Sequence, residues 1–446
     1  MSGLFDQVSS LAEGRTRAVD LVEQALERAS SSAAANVFTL RLDEDARREA
    51  AAADRARGQG DSWPLLGVPV TVKDNFDLAG RPTLAGSVVL ADAPPASADA
   101  AVVEKLRSAG MIVLGRTNMT EFAFSGLGLN PHHGTPANPA YPGAAHIPGG
   151  SSSGAAVSVA LGVTPAAIGT DTGGSVRIPA AFCGLVGFKA SPAAISRKGV
   201  LPLSATLDSV GVVATSVSDC RTLFSVIRET PRTSPRQDAP IRLGLVRNYV
   251  GTDMTPAVRD AFEHAVAAIT ASGAEIVSVD LPALDRITSI APLASFSAAE
   301  AYEWHRQLLA DGRGQAYDPR VLARILPGGD VDAAELAQME ARRAAFEADF
   351  TRCAADFSAL VWPTAPCLAP RFDMLADDTE YHRINALVLR NSTIANLAGG
   401  CAISLPCPDA RAGPVGITLA APRGADDALL ETALQIERAL CSQTAN

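Results

Sequence analysis

Long apolar runs are missing from this 446-residue chain. The most apolar stretch, Gly154 to Gly169, is interrupted by Ser158, Thr164 and Pro165. It falls short of the roughly 18–20 residues that cross a bilayer. No basic segment precedes an apolar one in MSGLFDQVSS, so a secretory leader is not expected. A surplus of positive charge is missing too. Against 38 basic residues stand 48 acidic ones, a net charge of −10, the wrong sign for a nucleic-acid or anionic-membrane surface. Cys183, Cys220, Cys353, Cys367, Cys401, Cys407 and Cys441 are odd in number and never form C-x-x-C, which points to reduced thiols in a cytoplasmic protein. Phosphate loops of the G-x-x-x-x-G-K-[ST] or G-x-G-x-x-G type do not occur, and His, Asp and Glu nowhere cluster at metal-ligand spacing. No cofactor and no metal are therefore expected. Lysine is scarce: only Lys73, Lys105, Lys189 and Lys198 among the 38 basic residues. An ammonium can lose its proton when desolvated and a guanidinium cannot, so a lysine inside an apolar run is a candidate base. What is abundant is apolar side chain, 47% of the residues against 19% charged. That balance buries a core and excludes a disordered chain.

Helical and extended patterns alternate. The first sixty residues read as helical, with Leu4, Val8 and Leu11, then Ala18, Leu21, Val22, Ala25 and Leu26, at helical spacing and an Ala/Arg-rich helix over Ala46–Arg57. Leu65–Lys73 is a β-branched run bounded by Gly and Pro, a strand. Residues 99–109 form an amphipathic helix stopped at Gly110, followed by a strand at Met111–Gly115. Further strands are expected at Pro165–Gly169, Ile241–Val246, Glu275–Val279 and Leu360–Pro363, and helices at Ser152–Leu161, 255–272 and Ala333–Phe357. This alternation predicts an α/β fold around a largely buried sheet. Length alone allows about three domains. The best candidate boundary, the polar stretch Glu229–Asp238, is loop-sized. The reading is one domain over 1–446, with a variable helical insertion at about 280–350.

The most unusual segment is 149–175, GGSSSGAAVSVALGVTPAAIGTDTGGS, in which Ser151 and Ser175 stand 24 residues apart. A helix capped at Ser152 and running to about Leu161 carries the chain roughly 15 Å away, at ~1.5 Å per residue. Gly162 can end it, and a strand of five or six residues at ~3.3 Å each returns the same distance. The two serines then meet at one edge of a sheet. In Gly169–Ser175 the glycines let successive N–H groups converge with no side chain in the way. That suits an oxyanion hole, where each donor contributes ~3–4 kcal/mol to acyl transfer. The alternative for this segment alone is a tight glycine turn with a satisfied serine. A serine nucleophile needs a base, and none of the six histidines is spaced to either serine cluster. Lys73 can serve if burial lowers its pKa by ~3 from near 10.4, which takes ~4 kcal/mol of environment.

Taken together, residues 149–189 and the run LGVPVTVKDN over Leu66–Asn75 resemble the amidase signature family of Ser–Ser–Lys hydrolases. The likeness takes in Gly115–Met119 and Glu121–Ala123, ends near Leu405–Pro406 and Gly413–Gly416, and is weakest over about 225–350. It implies a central mixed β-sheet covered on both faces by helices, and an enzyme that cleaves a carboxylic amide to acid plus ammonia or amine. It also implies Ser175 as the nucleophile, Ser151 as a bridging serine held after a cis peptide, and Lys73 as the base. Neutral Lys73 would draw a proton from Ser151, and Ser151 one from Ser175, while N–H groups of Thr172, Gly173, Gly174 and Ser175 hold the oxyanion. Asp171 and Arg177 are expected to brace the loop, and Ser125 and Gly150 to line the substrate pocket. The implied substrate is a small-molecule amide, and a homodimer is what relatives often form. In GFKAS, Ala190 follows Lys189 where the family usually has Pro, a departure confined to a structural turn.

Two other readings compete with this one. Gly150–Gly154 satisfies G-x-S-x-G, the nucleophile elbow of an α/β-hydrolase esterase. That elbow requires an apolar strand before it, and Asn138–Gly143 is loop chemistry. The other is the A-type component of the tRNA-dependent amidotransferase, a glutaminase of the same family that hands ammonia to a partner. Phe122–Gly128 does not resemble its counterpart in that component, and the chain is somewhat short for it. His132 and His133, being adjacent, are expected on a loop.

Overall fold

Burial along the strands fixes the architecture. The computed structural model describes residues 3–61, 63–143, 145–233, 240–286 and 293–442. Among them are strands β1 (Phe38–Arg41), β2 (Pro69–Lys73), β3 (Ile112–Thr117), β4 (Ala166–Asp171), β5 (Val186–Lys189), β6 (Ser209–Ala214), β7 (Arg242–Val246), β8 (Glu275–Val279), β9 (Ala359–Pro363), β10 (Cys401–Pro406) and β11 (Gly416–Ala421). All belong to one sheet in the order β1-β3-β2-β4-β6-β5-β10-β11-β9-β7-β8. Parallel pairs join β3 to β2 and β2 to β4, and again β9 to β7 and β7 to β8. The pairs between β4 and β9 are antiparallel, as is β1 with β3. The sheet is mixed.

Successive residues of a strand point to opposite faces, and both faces here are apolar. Val70, Val72, Ile168, Val212 and Ile403 enter one core, packed by helices α1 (Leu4–Ala12), α2 (Ala18–Ala29), α3 (Asp43–Gly58) and α4 (Ala101–Ser108). Ala167, Val213, Ala402 and Ala420 point the other way, toward α5 (Ser153–Ala160), α6 (Arg177–Phe182) and later helices. The first face is completed by α7 (Val217–Ile227) and α8 (Pro256–Ala271). The remaining helices are α9 (Leu293–Ala310), α10 (Pro319–Ile325), α11 (Ala333–Ala354), α12 (Asp378–Leu397) and α13 (Asp426–Cys441). Of β2, Thr71 and Lys73 fall on the α5 side, where Thr71 Oγ1 lies 3.1 Å from Ser158 Oγ. That face holds the polar site.

The 280–350 span, expected as a helical insertion, holds α9, α10 and most of α11, with its residues 287–292 outside the described residues. Ala298, Ala301, Val321 and Ile325 of α9 and α10 form a core with Phe122 and Phe124, so the insertion packs beside the loop after β3. Two corrections arise. The first sixty residues are not all helical, since Phe38–Arg41 is a strand on the sheet edge; four residues are too few to display a period. Leu65–Lys73 becomes extended only at Pro69, because Gly67 turns the chain at φ +87°. The stretch Glu229–Asp238 links elements of a single sheet, with its residues 234–238 outside the described ones.

Candidate active site

Lys73 ends β2 wholly buried. Its Nζ lies 2.7 Å from Ser151 Oγ, 2.8 Å from Thr170 Oγ1 and 3.5 Å from the Thr170 carbonyl. Burial lowers its pKa from 10.5 to about 7, against the opposing pull of the Asp208 and Asp171 charges. The same three oxygens suit either protonation state. An ammonium donates to all three, whereas a neutral amine donates two protons to Thr170 and accepts one from Ser151. Asn75 Nδ2 shares the Thr170 hydroxyl at 3.3 Å.

Ser151 follows a cis peptide after Gly150. A Cβ on Gly150 would stand 2.4 Å from Gly128 N, so only glycine fits there. From Ser151 the chain enters α5, turns through Gly162 at φ +66° and returns along β4. The two serine clusters meet: Ser152 N–H donates to the Ser175 carbonyl at 3.1 Å. Ser175 is buried, and its hydroxyl has no hydrogen-bond partner among the described residues. The contact between Ser175 Oγ and Ser151 Oγ is thus open in this conformation, while that between Ser151 and Lys73 is closed.

Asp171 organises the loop before Ser175. Its carboxylate accepts from Gly174 N–H at 2.9 Å, Val176 N–H at 3.1 Å and Arg177 Nε and Nη2 at 3.0 and 2.9 Å. Burial alone would raise its pKa. The Arg177 charge and these hydrogen bonds win, and hold it well below the usual carboxylate range. Arg177 and Asp171 therefore brace the loop through a buried pair. The Gly174 N–H, expected as an oxyanion donor, is taken by Asp171. Those of Thr172, Gly173 and Ser175 have no acceptor among the described residues. Ser392 and Thr393 of α12 hold the Gly173 carbonyl at 2.6 and 3.2 Å.

Ser125 and Gly150, expected at the pocket, are mostly committed to the fold. Ser125 donates to Asn385 Oδ1 at 3.0 Å and accepts from Leu127 N–H at 3.2 Å. Gly150 N–H donates to Gly126 O at 2.8 Å. His132 and His133 lie on a turn, where His132 Nε2 is 2.8 Å from the buried Glu121 carboxylate. Neither histidine touches Lys73 or the two serines. Three polar residues escaped sequence reasoning, two of them at the site and one, Arg324, over the Phe124 ring. Thr170 sits inside the strand pattern, Asp208 in an unremarked loop, and Arg324 is one arginine of many on a short helix. No sequence signal separates the last two from ordinary surface residues.

Among the described residues no group of three or more His, Cys, Asp or Glu could hold a metal ion. Nor, among the described residues, is any helix long and apolar enough to cross a membrane. The Amidase family matches residues 20–430. The 2-amino-5-chloromuconic acid deaminase of Comamonas testosteroni is 36% identical over 400 residues, 88% of this chain and 86% of that protein. The A-type component of the glutamyl-tRNA(Gln) amidotransferase of Chromohalobacter salexigens is 34% identical over 475 residues, 98% and 96% of the two chains. A solved amidase structure superposes with a TM-score of 0.90 at 31% identity, covering 98% of this chain and 100% of that one. The chain belongs to the amidase family and is an amide-cleaving enzyme.

Proposed function

We propose that the chain is a free-standing amidohydrolase acting through Lys73, Ser151 and Ser175. The observation that carries this reading is a wholly buried amine, lowered to about 7 and 2.7 Å from the Ser151 hydroxyl. Near neutral pH about half of such amines are uncharged and able to accept a proton. Lys73 takes the Ser151 proton as Ser151 takes that of Ser175, whose hydroxyl turns to Ser151 once substrate fills the site. Apo contacts of this kind commonly tighten only in the complex. Ser175 Oγ bonds to the amide carbon, and the negative charge developing on its oxygen is held by the N–H groups of Thr172, Gly173 and Ser175. The C–N bond then breaks, the proton passes back through Ser151 to the leaving nitrogen, and water releases the acid from the acyl-serine.

Arg324 supports a substrate with an anionic end. Its guanidinium stands over the Phe124 ring at 4.7 Å, its Nε is buried, and it has no hydrogen bond or ion pair among the described residues. A carboxylate meeting it in bidentate fashion would relieve that desolvation. Phe124 begins the segment whose Gly126 carbonyl accepts from Gly150 N–H, next to Ser151. The deaminase relative is likewise named for an acid. A fluorophosphonate probe and a panel of small amides, applied to the purified chain alone, test the proposal. Ser175 should be labelled, and ammonia or amine released. Labelling at Ser152, or turnover surviving Ser175→Ala, refutes it. Activity that appears only with a partner protein would favour the amidotransferase-component reading.

A further inference from the structure

Asp208 is buried just before β6, and among the described residues it forms no ion pair. Its Oδ1 accepts the Thr172 hydroxyl at 2.5 Å, and its Oδ2 accepts the N–H groups of Leu203 at 2.9 Å and Ser204 at 3.1 Å. Burial pushes its pKa up, against the pull of the Thr172 hydroxyl, the two N–H groups and the Arg197 charge. Two N–H donors on one oxygen suit the ionised carboxylate. The register explains the first contact: Ser209 on β6 stands opposite Asp171 on β4, so the preceding residue of one strand faces the following residue of the other. Thr172 opens the loop that ends on Ser175. The far side of Asp208 is tied to the insertion, since Glu300 of α9 accepts from the Ser204 hydroxyl and, at 2.5 and 3.2 Å, from Thr206 Oγ1 and N–H. A line of hydrogen bonds therefore runs from the insertion to the oxyanion loop.

We propose that Asp208 is a positioning residue, which aims the Thr172 N–H through the Thr172 hydroxyl and sets a negative potential at the Lys73 amine. This rests on the triad reading above. No step needs Asp208 to touch substrate. The loop donors must sit within tenths of an ångström of the developing charge, and the Thr172 side chain is the anchor that Asp208 provides at the loop's first residue. The charged groups facing Lys73 are Asp208 and Asp171. Those facing Asp208 are Lys73 from β2 and Arg197 from the loop before it. Arg177 and Lys189 meet Asp171 from the other side. Removing the Asp208 charge leaves less to hold a proton on Lys73, so the amine deprotonates at lower pH.

The test compares Asp208→Asn, Thr172→Val and Thr172→Ser with the unaltered enzyme by kcat, KM and the pH dependence of kcat/KM. Asp208→Asn should lower kcat roughly 10–100-fold with little change in KM, and move the acid limb to lower pH by about 1 pH unit. Thr172→Val should lower kcat similarly but leave the limb where it is. Thr172→Ser, which restores the hydroxyl, should regain about tenfold over Thr172→Val. An unmoved limb in Asp208→Asn, or a kcat loss under about threefold in Thr172→Val, overturns the proposal. Should Asp208→Asn fail to fold, the threonine pair decides. If the unaltered enzyme shows no limb near neutrality, it is the Lys73 assignment that has failed.

Discussion

Replacing Lys73 by Met keeps the length of the side chain and removes the amine that titrates. A lysine whose pKa falls from 10.5 to about 7 on burial costs the folded state about 5 kcal/mol wherever both states would otherwise be charged. The sign follows from proton counting. Between those two values the unfolded chain holds a proton that the folded one has lost, so stability rises with pH across the window. From pH 7, where half the folded molecules are already neutral, to pH 9, the unaltered protein should gain about 2 kcal/mol that Lys73→Met does not. Lys189, buried and lowered to about 8, contributes equally to both proteins and cancels in the difference. Urea unfolding of the pair at pH 7, 8 and 9 reads the effect, and the loss of contacts to Ser151 and Thr170 enters as a constant offset. Parallel stability curves would refute the reasoning, for they would mean an ordinary lysine. At pH 7 such a lysine is neutral in only about one molecule in 3,000, which is why Lys73→Met should also lose at least about three orders of magnitude in kcat/KM.

Arg324→Leu should raise KM roughly 10–100-fold for amides carrying a carboxylate while sparing neutral amides, a split visible in side-by-side kinetics. Gly174→Ala should destabilise the fold by about 2–4 kcal/mol in thermal or urea melts, because φ is +124° and the added carbon would stand 2.1 Å from Ser392 Oγ. Asp171→Asn should cost about 3–5 kcal/mol at neutral pH by leaving Arg177 uncompensated. Since the Asp171 pKa is depressed in the fold, its contribution is present above the ordinary carboxylate range and fades only as pH falls toward the depressed value. The variant should therefore show a flatter loss of stability in acid than the unaltered protein.

Much of this was legible because the site is nearly contiguous. Ser151, Asp171, Ser175 and Arg177 fall within one helix-and-strand excursion, whose length follows from rise per residue alone. Lys73 could be singled out because arginine stands almost everywhere else. Other features were hidden for physical reasons. Whether Gly174 N–H faces a substrate or Asp171 depends on a loop conformation that no spacing encodes. The strands Val186–Lys189, Ser209–Ala214, Cys401–Pro406 and Gly416–Ala421 are short, and their pairing depends on partners far along the chain. Asp208 and Arg324 acquire meaning only from neighbours brought by other elements, Thr172 for one and Phe124 for the other.

The division of labour between sheet and insertion has an evolutionary side. The amine stands on β2, and the hydroxyls and loop donors stand at the start of α5 and after β4, whereas the arginine proposed to read the substrate rides on a short helix about 150 residues beyond Ser175. Mutations there can exchange one clientele for another while the cutting machinery is inherited intact. A scaffold partitioned in this way is free to diversify its diet without relearning its trade.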